Sequence, residues 1–325
     1  MILDRQIAGC VFLLGNIFVV FTNSEVLQCY SGCRPYSLQK TSVILGMNPT
    51  DITTNYAGIC AYVLDSGNAC VWRIRRDVEP SKVLEFGEEK DLVSMSVTES
   101  GRITVIWNRT KISVYSDAGQ KLLNTGIQQA DEVKFIKHAI EVEDGSFVAC
   151  NDRQLFRLSV DGKVTDLVDD MGGSYVVRNK NKDVIVADTQ GQRALMLDCG
   201  KLKLKTTLLS IERDGVECPQ HVHFALDSGQ LLVSWLNYLD VYSFNERALQ
   251  SHLAASEQEI RDQRVVERAF LQREVFQSKS YEDLLHVNAR IVEENLKRQR
   301  SRTSGMHTCT LILYLLDTLL WPPCV

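Results

Sequence analysis

The residue types that most often carry chemistry are thinly spread in this chain. Six histidines occur in 325 residues, and only His138, His221 and His223 lie outside the carboxy-terminal quarter. His221 and His223 alternate, so in an extended strand both side chains leave the same side of the backbone. Imidazoles so placed can ligate a metal or move a proton, but both uses need partners from elsewhere in the chain. Nucleophile elbow, P-loop, HExxH, dinucleotide fingerprint and EF-hand loop are all missing from the sequence. The sequence therefore assigns no catalytic residue and no cofactor, and His138 and His221 stand as the candidate metal ligands. Ten cysteines sit singly, several inside apolar runs, and the one close pair, Cys29 and Cys33, has no second pair at zinc-ligand spacing. They read as reduced structural thiols of a cytoplasmic protein.

Composition sets the class. The chain is 45% hydrophobic and 24% charged, ordinary for a globular protein, with a formal charge of −5. Residues 1–245 hold 25 basic and 30 acidic groups, and residues 246–325 hold 11 of each, so the negative balance belongs to the first part. That balance speaks against a nucleic-acid-coating protein, although Lys201, Lys203 and Lys205 share one strand face and keep single-stranded RNA binding open as an alternative. Residues 10–21 (CVFLLGNIFVVF) imitate a signal-peptide core, but Gly15 and Asn16 interrupt them and no small-residue cleavage site follows. Residues 309–321 are too short to span a membrane and carry Asp317.

The strands that must position any site announce themselves by repetition. Gly15, Gly58, Gly101 and Gly145, spaced 43, 43 and 44 apart, each precede a β-branched or aromatic run: NIFVVF, ICAYVL, RITVIW and SFVAC. Two looser copies follow, at DVIVAD near Lys182 and QLLVSW after Gly229. Residues 92–119 show the grammar of one unit: three short apolar runs separated by Gly, Asp, Asn and Ser turns, followed by a variable fourth run, KLLNTGI. Six four-stranded antiparallel units of about 40 residues, each unable to cover its own faces, predict an all-β six-bladed β-propeller over 1–245.

Within this frame, residues 184–198 read VIVADTQGQRALMLD. This resembles the NHL repeat, with Asp188, Arg193 and Asp198 on its polar positions and Gly191 in place of its Asn. Residues 62–74 match in a complementary way, with Asp65 and Asn68 on the pattern and Cys70 where Arg is usual, while Asn108 and Asp152 occupy the Asp position in more degenerate units. The resemblance extends over residues 7–244 and points to the NHL-type, TolB-like propellers of TRIM-like proteins. It implies a non-catalytic protein-interaction module with an unidentified protein partner; a RING or B-box would sit upstream in TRIM-like relatives and none is present in this sequence, and no membrane partner is expected. Some six-bladed propellers that the chain resembles in fold are metal-dependent lactonases or lyases with axial ligands. His138 and His221, at comparable places in the inner strands of units four and six, keep that alternative open. The motif residues Asp65, Asp152, Asp188 and Arg193 are expected to hold their own turns.

The last unit passes from DVYSF directly into NERALQSHL, so its outer strand is expected from before Ile7, or from a longer protein upstream. Beyond Asn245 glycine and proline vanish until Gly305, and an uneven amphipathic stripe predicts a helical extension over 246–303, a possible self-association element, followed by a poorly ordered hydrophobic tail at 304–325.

Overall fold

The computed structural model describes residues 1–243, apart from Ile2, Cys33, Pro35, Arg76, Asp77, Glu88, Gln129, Ala130 and Asp227, together with Arg290, Glu293 and Glu294. The chain divides into two compact units, Met1–Gln250 and Ser251–Val325. The extension over 246–303 and the tail at 304–325 lie outside the described residues, apart from those three positions.

Six antiparallel sheets follow one another in chain order. Their innermost strands are Ile7–Leu13, Pro49–Thr54, Leu92–Val97, His138–Glu141, Gly173–Arg178 and His221–Ala225. Each inner strand touches the next, and that of blade six returns to that of blade one, which closes the ring. Five blades have four strands and the sixth has three. The apolar run at 10–21 falls within the first two strands of blade one, Ile7–Leu13 and Asn16–Phe21.

The second strand of each blade is almost wholly buried, and the fourth, in the five blades that have one, is largely exposed. This gradient explains why the sequence runs are continuous in the middle of a unit and variable at its end. Apolar clusters fill the seams between neighbouring blades: Phe147 and Phe156 meet Ile106 and Ile112 between blades three and four, for example. The turn after each inner strand contains a residue at positive φ: Gly15, Gly58, Gly101, Gly145, Lys182 and Gly229. Glycine adopts that conformation without steric cost, so the 43-residue spacing of glycines is the spacing of these turns. Lys182 is the exception that weakened the repeat in blade five.

Closure uses the amino-terminal stub. The Leu3 amide donates to Asn237 O at 2.8 Å, and the Leu239 amide donates to Met1 O at 2.9 Å. Asn237 Nδ2 adds a bond to Leu3 O at 2.8 Å. This short antiparallel pairing covers the outer edge of Tyr238–Ser243, and Leu3 packs into the apolar cluster shared by blades one and six. Residues before Ile7 therefore do for blade six what a fourth strand does elsewhere.

Candidate functional site at the propeller axis

The inner strands of blades one, two, three and five each carry a bulge at the same level, around Ala8, Thr50, Val93 and Ser174. An extra residue there re-aims the side chain that follows. The inner strands of blades four and six pair without a register shift. Asp51, His138, Tyr175 and His221 meet at the axis, where Cys10 brings its thiol and Met95 its main-chain amide and carbonyl.

Asp51 is the hub. Its Oδ1 accepts from the Ile52 amide at 2.8 Å and from the Tyr175 hydroxyl at 2.9 Å, and its Oδ2 accepts from the Met95 amide at 2.8 Å. His221 Nε2 lies 3.5 Å from Oδ1 and His138 Nε2 lies 3.9 Å from Oδ2. The Tyr175 ring lies between the two imidazoles, with centroids 3.6 Å from His138 and 4.0 Å from His221. His138 Nδ1 accepts the Val176 amide at 3.4 Å, which leaves Nε2 to donate to Met95 O at 3.2 Å. His221 Nδ1 faces Cys10 Sγ at 3.7 Å. Gly9 makes room for this packing, since a Cβ there would stand 2.8 Å from Ile52 Cγ2 and 3.3 Å from His221 Nε2.

Burial and charge set opposite protonation states on the histidines. Burial pulls His138 down to about 4, helped by His221 and opposed by Asp51. Burial and the His221 charge pull His223 down to about 3. For His221 burial also acts downward, but Asp51 and Cys10 outweigh it and raise the group to about 9. The centre of the ring is thus an Asp51–His221 ion pair surrounded by neutral rings. Burial also drives the Tyr175 hydroxyl well above its usual range, so it donates at all ordinary pH values.

A pH profile follows from these directions. An unfolded histidine titrates near 6.5. His221, raised in the folded state, contributes stability that is complete below about 6.5 and is lost as the pH rises towards 9. His138 and His223, depressed in the folded state, make the protein lose stability as the pH falls below about 6.5, through 4 and then 3. Melting temperature should peak near neutrality. The alkaline limb between 6.5 and 9 should vanish in His221→Asn, because the buried Cys70 and Cys150 thiols, raised to about 11 and 12, act only above their unfolded range near 9. An unchanged alkaline limb in that variant would refute the assignment.

The axial cluster separates two cavities. The wider one, about 530 Å³, is a funnel lined by the carboxy-terminal ends of the inner strands and the turns after them, including Thr54, Ser96, Glu141, Arg178 and His223, with His138 and Tyr175 at its floor. The narrower one, about 310 Å³, opens at the other end past Asp51 and His221.

The sequence-derived residues divide between these places. His138 and His221 meet at Asp51, but as a ligand set they fit a metal poorly. Asp51 spends both oxygens on three hydrogen bonds, His138 has a partner on each nitrogen, and no group of three or more His, Cys, Asp or Glu among the described residues is arranged to hold a metal ion. Asp188 lies away from the axis: its Oδ1 accepts the Gly191 amide at 2.9 Å and its Oδ2 accepts Arg193 Nε at 2.7 Å. Gly191 is needed there, because a Cβ would collide with Asp188 Oδ2 and sit 2.6 Å from Arg193 Nε. Asp65 likewise gathers its turn, accepting from the amides of Asn48 and Asn68, from Asn68 Nδ2 at 2.8 Å and from Trp72 Nε1 at 3.0 Å.

In the degenerate units the structure shifts the role. Asn151, one position before Asp152, is the buried cap, accepting the Arg153 and Gln154 amides at 2.9 Å each, whereas Asp152 is half-exposed and pairs with Lys137. Asn108 supplies a left-handed backbone (φ 48°) and keeps its side chain exposed. Lys205 pairs with Asp183 at 2.6 Å, so at least one of the three alternating lysines serves the fold. Sequence reasoning missed Asp51 and Tyr175.

No family model matches the chain, and no curated protein matches it. Solved structures do. Virginiamycin B lyase from Staphylococcus aureus aligns at a TM-score of 0.51 with 10% identity, covering 75% of this chain and 87% of that one. A protein of unknown function from Bacteroides caccae aligns at 0.52 with 13% identity, covering 66% and 81%. The WD40 β-propeller domain of Doa1 aligns at 0.53 with 10% identity, covering 75% and 95%. At these identities the likeness is one of fold, and the chain is an all-β, six-bladed propeller of mainly four-stranded blades.

Proposed function

We propose that the chain is a non-catalytic protein-recognition module of the NHL type, of the kind that supplies the partner-binding part of TRIM-like proteins, and that it works in the cytoplasm. The observation that carries this reading is the contrast between axis and rim. The axial groups are consumed in holding six blades together, while the funnel lip of blades one and two exposes Leu14, Tyr56 and Ile59. The turn that carries Tyr56 and Ile59 is tied to the blade-one turn by the Leu14 amide, which donates to Gly58 O at 3.3 Å. Exposed aromatic and aliphatic side chains grouped on a rigid rim are what a protein partner anchors on. The NHL assignment is supported by the turn period and by the Asp188–Arg193 pair closed across Gly191.

Affinity capture with the full chain and with the Tyr56→Ala/Ile59→Asp double variant tests the reading. A partner retained by the parent should be lost from the variant, with the melting temperature unchanged. Stoichiometric zinc or calcium in the purified protein, held by ligands from three or more blades, would overturn it in favour of a metal-dependent hydrolase or lyase.

A further inference from the structure

Charge is unevenly placed around the ring. Residues 1–245 hold 25 basic and 30 acidic groups, yet blade five, residues 173–210, holds seven basic and three acidic. One pair, Asp188 with Arg193, closes the turn between its second and third strands, away from the funnel. The other eight groups gather at the funnel end. Arg178, Lys180 and Lys182 flank the first turn of the blade, Lys201, Lys203 and Lys205 flank its third, and Asp183 and Asp198 are the acids among them. The two turns are tied together by Lys205, whose ammonium meets Asp183 at 2.6 Å.

Carboxylates from blade four do not restore the balance. Glu143 serves two cations with one oxygen, Arg178 at 2.6 Å and Lys182 at 3.0 Å. Asp144 is engaged by Arg157 at 2.9 Å, and Asp198 Oδ1 accepts the Lys201 amide at 2.9 Å. Lys180, Lys201 and Lys203 remain exposed. A local excess of positive charge on an otherwise acidic ring draws and orients an anionic partner.

The opposite side of the mouth is different in kind. In a closed ring of six, blade two faces blade five across the axis. The first turns of blades one and two, residues 14–15 and 55–59, hold no charged side chain and expose Leu14, Tyr56 and Ile59. Leu14 and Tyr56 line one side of the funnel and Arg178, Lys180 and Lys182 another, around a cavity of about 530 Å³. A ligand that spans the mouth therefore meets apolar anchors at one end and cations at the other. A nucleic-acid strand matches this poorly. Its charge recurs at every phosphate and would continue over the uncharged lip, where aliphatic Leu14 and Ile59 offer bases no stacking platform. A peptide can hold an apolar anchor and a group of carboxylates apart from each other.

We propose that the funnel face binds an acidic linear segment of a partner protein. The segment crosses the mouth with an aliphatic or aromatic side chain on Leu14, Tyr56 and Ile59 and its carboxylates over the lysines of blade five. This rests on the protein-recognition reading and gives the partner its chemistry.

Selection of phage-displayed random linear peptides on the full chain tests it, followed by fluorescence anisotropy with the enriched peptides and with oligouridine. Enriched peptides should combine Asp and Glu with Leu, Ile, Phe or Trp. Their affinity should fall with rising salt, and about tenfold in Lys180→Glu/Lys203→Glu, where two attractions at a solvent-exposed rim become repulsions. Both lysines are exposed, so this variant should keep the parent's melting temperature. Peptides without acidic residues, lost from Tyr56→Ala/Ile59→Asp but not from the lysine variant, would overturn the acidic segment and leave the protein-recognition reading standing. Undiminished affinity of acidic peptides for a folded lysine variant, or no enriched peptide at all, would also overturn it. Salt-sensitive binding of oligouridine with no peptide enriched would overturn both.

Discussion

Asp51→Asn should cost about 3–5 kcal/mol of stability, the range for breaking a buried ion pair by removing one partner. Asparagine is nearly isosteric, but it replaces one carboxylate oxygen by an NH₂ group. With Oδ1 kept towards Tyr175 and Ile52, the new Nδ2 faces the Met95 amide, donor against donor. Turned over, it faces the Tyr175 hydroxyl and the Ile52 amide instead. Neither arrangement restores the charge that holds His221 protonated, so the imidazole must also lose its proton or remain an unpaired buried cation. Against a total stability of about 5–15 kcal/mol, this loss is a large share. It should appear as a fall in melting temperature of roughly 10 °C or more and a lower urea midpoint at an unchanged slope. A loss below about 1 kcal/mol, with the β content intact, would show that the carboxylate is incidental to the ring.

Leu3→Asp is expected to open the molecule at a different place. Leu3 is 8% exposed, packed in the cluster that includes Phe12, Ile17, Phe21, Leu232 and Leu239. An unpaired carboxylate there costs several kcal/mol, more than the backbone bonds of so short a pairing can hold. Release of the stub leaves Tyr238–Ser243 with an uncovered row of amides and carbonyls, a template for a second chain. The expected result is a lowered melting temperature together with concentration-dependent oligomers in light scattering. Leu3→Ala, which removes methyl groups but introduces no charge, should lose about 2–3 kcal/mol and keep the parent's oligomeric state. A Leu3→Asp variant with the parent's oligomeric state and melting temperature would mean that blade six needs no cover from these residues.

The architecture was legible because glycines at positive φ punctuate it: Gly15, Gly58, Gly101 and Gly145 mark successive turns with little drift. Where a lysine takes the same conformation, at Lys182, only the strand DVIVAD betrayed the unit. The need for a closing segment before Ile7 was legible too, since the last unit runs out of strand. The site was only half legible. Histidine is rare enough that His138 and His221 drew notice, and their matching places in inner strands brought them towards the axis on paper. Asp51 sits in PTDITT, and a bulge at Thr50 re-aims it towards the axis. Register of this kind depends on the partner strand and has no signature in the residues themselves. The same limit explains Asn151 and Asp152, where a slip of one residue exchanges a buried cap for an exposed side chain. The funnel escaped notice altogether, because its polar groups are single residues at the ends of four different strands.

The axial cluster has a consequence for how the ring comes apart. Stacked repeat proteins can fray from either end, since each repeat answers only to its neighbours. Here Asp51 on blade two answers to Met95, Tyr175 and His221 on blades three, five and six, while His221 answers to Cys10 on blade one. Peeling away any of these blades breaks into the network around one buried carboxylate. The propeller, though built of six similar units, should therefore melt as one cooperative, all-or-none unit.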